Sequence, residues 1–269
     1  MASKGAGYPL RMPTVGRTVA LLVLLWPLLA AAACTRPLRV PFEDWRPYSF
    51  VDSAGRHTGL ETELLAAVAK QMGCEVEYVH ELPRNRRLPM LAAGELDLLV
   101  AASVDDDAAA RTAWWYTRPY RDEELSAFVL AESPLRYEVQ TLADLLLSRQ
   151  RLIAQRGPSI VPAVDQFGVR GLLTQFEDYA KGVELLKRGR GDVLIGDRLA
   201  LLAAAEASGV ALAELPLPVR RDAVSYKLSR KRFSQADLDG FNEAIRRLET
   251  QGELQRIRTR WLDAGRRGR

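Results

Sequence analysis

Histidine and cysteine are scarce in this chain, with two of each among 269 residues. No Ser-His-Asp set and no His/Cys cluster with metal-ligand spacing is apparent among them. Long apolar runs are also missing, apart from one near the N-terminus. No later stretch approaches the roughly 20 residues that a membrane-spanning helix needs. Positive charge is lacking where nucleic acid would require it. The net charge of +4 rests on Lys4, Arg11 and Arg17 at one end and on Arg266, Arg267 and Arg269 at the other, and the body between them is −2. The basic balance is a property of the two ends and gives no case for nucleic acid as a partner.

The one apolar run has the anatomy of an export signal. Three basic residues without an acid precede it, residues 19–29 form its core around Pro27, and Ala30 to Ala33 supply small residues for cleavage. The core is shorter than a membrane span. Residues 1–33 are therefore expected to be removed, leaving a soluble chain in the periplasm. The remainder is large enough for one big domain or two modest lobes. Two readings are open for Cys34, which directly follows the alanines. It is either the lipidated first residue of a lipoprotein or the partner of Cys74 in a disulfide, which an oxidising compartment permits. Ala31 is a poor match to a lipoprotein signal and the first strand begins soon after Cys34, so the disulfide is the reading taken forward.

The rest is organised around residues 94–120. Gly94-Glu95 is a turn, and residues 96–102 are apolar almost throughout and too short for a free-standing helix. A strand buried on both faces, as in a parallel sheet under helices, is expected there. At its carboxyl end the polarity flips to Ser103, then Asp105, Asp106 and Asp107, with Arg111 beyond. Open α/β sheets bind ligands just outside such strand ends. Arg111, followed by Trp114-Trp115-Tyr116, would there be a fixed cation beside aromatic surface. The alternative is that Arg111 pairs with one of the aspartates on a solvated loop. Residues 189–197 repeat the pattern, with a turn glycine, Asp192, a buried strand and a terminal Asp197 that also stands to N-cap the following helix.

Other elements follow from periodicity and punctuation. Residues 38–42 are expected as the first strand, 43–48 as the loop at its carboxyl end, and 49–59 as a hairpin with His57 in its turn. A helix is expected over 64–72, ended by Gly73, then an alternating strand over 74–79 that leads into His80. A connection over 80–87 contains Arg84 and precedes a helix over 88–93. Strands over 125–130 and 223–228 read as crossings between lobes. Residues 151–155 form a strand that ends in Gly157-Pro158-Ser159, a turn whose free N–H groups suit an anion. Helices are expected from a Thr141 N-cap, over 180–187 and over 234–248.

Several short motifs recur here in a familiar order: Trp45-Arg46-Pro47-Tyr48-Ser49-Phe50, Gly59-Leu60-Glu61-Thr62-Glu63-Leu64, Gly94-Glu95-Leu96-Asp97, Arg111, Thr117-Arg118-Pro119-Tyr120, and Gly189 to Asp197. From about residue 38 to 261 the chain resembles the polar amino-acid type of bacterial extracytoplasmic solute-binding protein, the soluble receptor of ABC importers. The resemblance implies an α/β fold of the periplasmic-binding-protein kind, two lobes joined by two crossing strands with a ligand cleft between them. Lobe 1 would take residues 34–128 and 223–265, lobe 2 residues 129–222, with a basic tail over 266–269. It also implies a ligand set: Trp45 and Arg84 as pocket walls, Ser103 and Arg111 on a ligand carboxylate, Ser159 on the same group from the second lobe, and Asp197 on an ammonium. Two residues depart from the pattern. Arg84 stands where such receptors often carry an aromatic, and Asp105 stands where a hydroxyl would donate to the carboxylate.

The implied partners are a small polar solute and a membrane ABC permease, with no cofactor, no metal and no catalytic residue, the protein acting as a monomer. The rivals are a dehydratase-like enzyme on the same fold, with Glu43 or Asp105 as its acid/base, and a sensor or partner-binding subunit without cargo. In such a lobe the first two strands are parallel neighbours, which places Cys34 and Cys74 together at the sheet edge opposite the cleft.

Overall fold

The computed structural model describes residues 34–103, 112–156, 167, 171–217 and 219–264. The expected signal segment lies outside the described residues, as do Asp105, Arg111 and Ser159. In chain order the first elements are β1 (Leu38–Pro41), the hairpin strands β2 (Phe50–Val51) and β3 (His57–Thr58), and α1 (Leu60–Gln71). They are followed by β4 (Val76–Val79), α2 (Arg84–Ala93), β5 (Leu98–Ala102) and β6 (Trp114–Tyr116). The long strand β7 (Arg121–Leu130) leads to α3 (Leu135–Glu138), α4 (Leu142–Leu147), β8 (Leu152–Gln155) and β9 (Leu173–Phe176). Then come α5 (Tyr179–Lys187), β10 (Val193–Asp197), α6 (Arg198–Ala207) and β11 (Leu212–Glu214). A second long strand, β12 (Arg220–Ser229), returns to α7 (Gln235–Thr250) and α8 (Glu253–Ala264).

β1 and β4 pair in parallel, Leu38 against Val76, with α1 as the connection between them. A larger sheet runs β5-β12-β7-β10-β8-β9, with β6 on β12 and β11 on β7. β8 is parallel to both β9 and β10. β7 and β12 pair antiparallel, Arg121 opposite Val224 and Leu125 opposite Arg220. Past that shared segment the two strands run into different cores. Tyr226 and Leu228 of β12 pack with Leu64 and Val68 of α1 and with Phe241, Ile245 and Leu254 of the two C-terminal helices. Ala127 and Val129 of β7 pack with Leu152 and Ile195, and Phe128 packs with Ile153, Val183 and Leu201. Two packed cores bridged by two strands make a two-lobed α/β fold. The crossings expected over 125–130 and 223–228 lie within β7 and β12, which are each ten residues long.

Each Gly-x-x-Asp turn proves to be an anchor. Asp97 accepts the N–H of Arg39 in β1 at 2.7 Å and is gripped by the Arg36 fork at 2.8 and 2.9 Å, with Arg232 at 3.0 Å. Asp192 accepts the Arg151 N–H at 2.8 Å and its guanidinium at 2.7 and 3.1 Å. The acid thus ties the start of its own strand to a neighbouring one. A Cβ on Gly191 would meet Ile153 Cγ1 at 2.4 Å, so this close approach requires glycine. Cys34 and Cys74 are joined in a disulfide with Cα atoms 5.4 Å apart, just ahead of β1 and β4.

Local expectations are corrected in four places. β5 pairs antiparallel with β12 and only its Leu98 is buried, so it is not the doubly buried strand of a parallel sheet expected there. α2 begins at Arg84, so Arg84 to Arg87 form its first turn and not a connection. Trp114 to Tyr116, expected as aromatic surface beside a loop cation, form β6. Trp115 is held there by its indole N–H on the Phe233 carbonyl at 2.9 Å and by Arg230 over its ring at 3.6 Å. His57 lies in β3, because Asp52 builds the turn by accepting the N–H groups of Ala54 and Arg56, each at 2.9 Å.

Candidate functional site

Gly59 sets the site up. Its φ is +119°, and a Cβ there would stand 2.3 Å from the Tyr48 carbonyl oxygen. That proximity lets the Pro47 and Tyr48 carbonyls accept the N–H groups of Leu60 and Glu61 at 3.0 and 2.8 Å, so the loop after β1 caps α1. The Tyr48 hydroxyl then donates to Asp197 Oδ2 at 2.7 Å, while Asp197 Oδ1 accepts the Ala200 N–H at 2.8 Å and N-caps α6. One carboxylate joins the end of β10 to the loop after β1.

Arg121, 5% exposed, sits at the centre of this cluster. Its Nε donates to Glu61, its Nη2 to Glu123 at 3.2 Å and its Nη1 to the Asp122 carbonyl at 3.0 Å, and its plane lies 4.7 Å from the Tyr48 ring centre. The Tyr120 hydroxyl donates to Glu61 at 2.6 Å and accepts the Ala101 N–H at 2.8 Å. Burial dominates the electrostatics. It pushes Glu123 up to about 7, with Arg121 pulling down and Asp197 and Glu61 adding to the rise. It raises Asp197 as well, against the Ala200 N–H, the Tyr48 hydroxyl and Arg121. Burial and then the charge of Asp197 lift the Tyr48 phenol far above its usual range.

A cavity of about 300 Å³ opens beside the cluster, at the carboxyl ends of β1, β5 and β8, and its walls come from both cores. Trp45 stacks on Tyr48 with centroids 4.2 Å apart. Glu43 is gripped by Arg84 at 3.0 and 3.1 Å and by Arg87 at 2.6 Å. Burial would raise the Glu43 carboxyl, but the Arg87 and Arg84 guanidiniums outweigh it and hold Glu43 below the ordinary carboxylate range. On the other wall the Tyr179 hydroxyl donates to Gln155 Oε1 at 3.1 Å. Glu123 completes the lining from β7.

Of the expected ligand residues, Trp45 and Arg84 line this cavity. Ser103 is exposed after β5, and neither it nor Asp197 is among the lining residues. Arg111 and Ser159 lie outside the described residues. His80 is not among the lining residues and meets His57. Glu123, Gln155, Tyr179 and Arg87 are site residues that sequence patterning does not single out. Gln155 carries a signal, as the last residue of a strand before a glycine turn. Glu123 carries none, since the run of charges from 121 to 124 reads as solvated. Among the described residues no group of three or more His, Cys, Asp or Glu is placed to hold a metal, and no helix is long and apolar enough to cross a membrane.

Comparison with known proteins places these features in context. The sequence model of the bacterial extracellular solute-binding proteins, family 3, matches residues 38–264. A probable amino-acid ABC transporter-binding protein of Haemophilus influenzae is 24% identical over 221 residues, covering 81% of this chain and 81% of that protein. Two solved structures share the fold. A histidine kinase sensor domain with similarity to periplasmic binding proteins superposes with a TM-score of 0.69 at 21% identity, over 85% of this chain and 96% of that one. An ancestral arginine-binding protein bound to glutamine gives 0.67 at 19% identity, over 85% and 98%.

Proposed function

The chain belongs to the bacterial extracellular solute-binding proteins, family 3, and from that premise we propose that it takes up one small polar solute, an amino acid or related carboxylate, for delivery to a membrane ABC permease outside the cytoplasm. The observation that carries this reading is the cavity of about 300 Å³ walled by both cores. Its size is at the small end for ligand sites, roughly 300–1,000 Å³. Trp45 offers a ring face to the solute, and Gln155 and Tyr179 offer hydrogen bonds. Glu123 is the carboxylate placed for an ammonium, while Asp197, expected in that role from the family pattern, holds Tyr48 and the α6 terminus. Arg111 and Ser159 are retained for the carboxylate end. Solute in this cavity favours a closed state of the two lobes, and that state docks on the permease.

Calorimetric titration with the amino acids and related carboxylates tests the reading. One class is expected to saturate one site per chain. Glu123→Gln is expected to weaken it about 10–100-fold, the worth of one hydrogen bond to a charged group. Failure of every such compound to bind the folded protein would remove the reading.

A second reading, an enzyme on this fold, has one observation behind it. A carboxyl raised to about 7 in a cavity, as Glu123 is, has the setting of a general acid or base. Mass spectrometry of the solute after incubation separates the two: unchanged solute supports binding, and a converted product supports the enzyme.

A further inference from the structure

The chain's two histidines, 23 residues apart in sequence, meet in the fold with their Nε2 atoms 2.9 Å apart. His57 comes from β3, and His80 directly follows β4. Both are exposed, and both rings are held in place by packing. Phe42 lies 4.7 Å from His57 and 4.8 Å from His80, centroid to centroid, and Tyr78 lies 4.5 Å from His57. The two ring nitrogens are thereby held within hydrogen-bond distance of each other at the surface, with ring centroids 5.0 Å apart.

We propose that His57 and His80 form a two-imidazole site for a divalent transition ion of the Cu(II) or Ni(II) class. Imidazole nitrogens bind such ions at roughly 2.0–2.1 Å. Two nitrogens 2.9 Å apart then subtend about 90° at an ion bound to both. That is the cis angle of square-planar and octahedral coordination, the geometries that N,O ligation by Cu(II) and Ni(II) adopts. Tetrahedral Zn(II) would need the nitrogens about 3.3 Å apart and fits this bite less well. The surface depression that His80 lines carries Glu43, Asp44 and Glu81 against Arg84 and Arg87, and Asp44 also pairs with Arg46 at 3.3 Å, so the two imidazoles and not the surrounding charge select the ion. Among the described residues no third His, Cys, Asp or Glu joins the pair as a ligand, so water or a bound chelating molecule fills the remaining positions. Neither histidine lines the solute cavity, and the site stands independently of the solute-binding reading.

The test uses the chain without a histidine tag, stripped with EDTA and titrated with CuCl2 and NiCl2. One Cu(II) per chain is expected, with an electron paramagnetic resonance spectrum showing two nitrogen ligands. His57→Gln and His80→Gln should each weaken that site at least tenfold and reduce the spectrum to one nitrogen. Ni(II) should raise the melting temperature of the parent protein and leave both variants unmoved, because only the folded state holds the pair together. Cu(II) affinity and spectrum that stay unchanged in both variants would overturn the site, as would the absence of saturable binding to the parent. Because His57 packs on Phe42 and Tyr78, His80→Gln alone decides the matter if the other variant melts early.

Discussion

A buried guanidinium is tolerated only when its N–H groups find acceptors, and Arg121 finds Glu61, Glu123 and the Asp122 carbonyl. Removing one member strands the other. Arg121→Ala or Glu61→Gln is expected to destabilise the fold by about 3–5 kcal/mol in urea melts. Replacing both together by apolar residues of similar volume should cost far less, and equal losses would refute the pairing. Glu123 makes a second prediction. Its carboxyl is raised from 4.5 to about 7, so the folded chain holds this proton more tightly than the unfolded one. The associated stability is complete below about pH 4.5 and is lost as pH rises through about 7. Relative to Glu123→Gln, the parent protein should therefore lose stability between those values, and a flat difference across melts at pH 4.5, 6 and 7.5 would contradict the assignment. A cationic solute should bind more tightly over the same rise.

At the scale of elements, the stretch from Trp45 to Glu61 acts as one device. The Pro47 and Tyr48 carbonyls cap α1, and the same turn aims the Tyr48 hydroxyl at Asp197. All of this depends on Gly59, whose φ of +119° and 2.3 Å clearance exclude a side chain. Gly59→Ala is expected to cost about 1–3 kcal/mol of stability through backbone strain and to weaken solute binding by moving Trp45. Thermal melts and calorimetry on the same preparation check both. A variant with parent-like melting and affinity would show that the loop adjusts freely.

For the whole molecule, the question is what moves. β7 and β12 pair over a shared segment and run from it into different cores, and the Tyr48–Asp197 hydrogen bond is a second tie between the parts of the chain they join. Saturating solute is expected to reduce the radius of gyration in small-angle scattering. Tyr48→Phe, which removes a hydrogen bond to a carboxylate worth roughly 1.5–3 kcal/mol, should lessen that compaction and weaken affinity. No change on solute saturation would instead point to a rigid pocket.

The sequence by itself determined the alternation of strands and helices, the helix starts at Thr141, Asp197 and Ser234, and the two Gly-x-x-Asp turns. These rest on local rules: side-chain periodicity, capping hydroxyls and carboxylates, and turn glycines act within a few residues of one another. Trp45 and Arg84 are marked as pocket walls only through the family resemblance that the sequence motifs carry. Only the tertiary structure decided the rest. Arg121 and Glu61 meet across 60 residues, Tyr48 and Asp197 across 149, and His57 and His80 across 23. Nothing local distinguishes Glu123 from the charges beside it. Its role follows from burial, and burial is set by which surfaces the two crossing strands bring together.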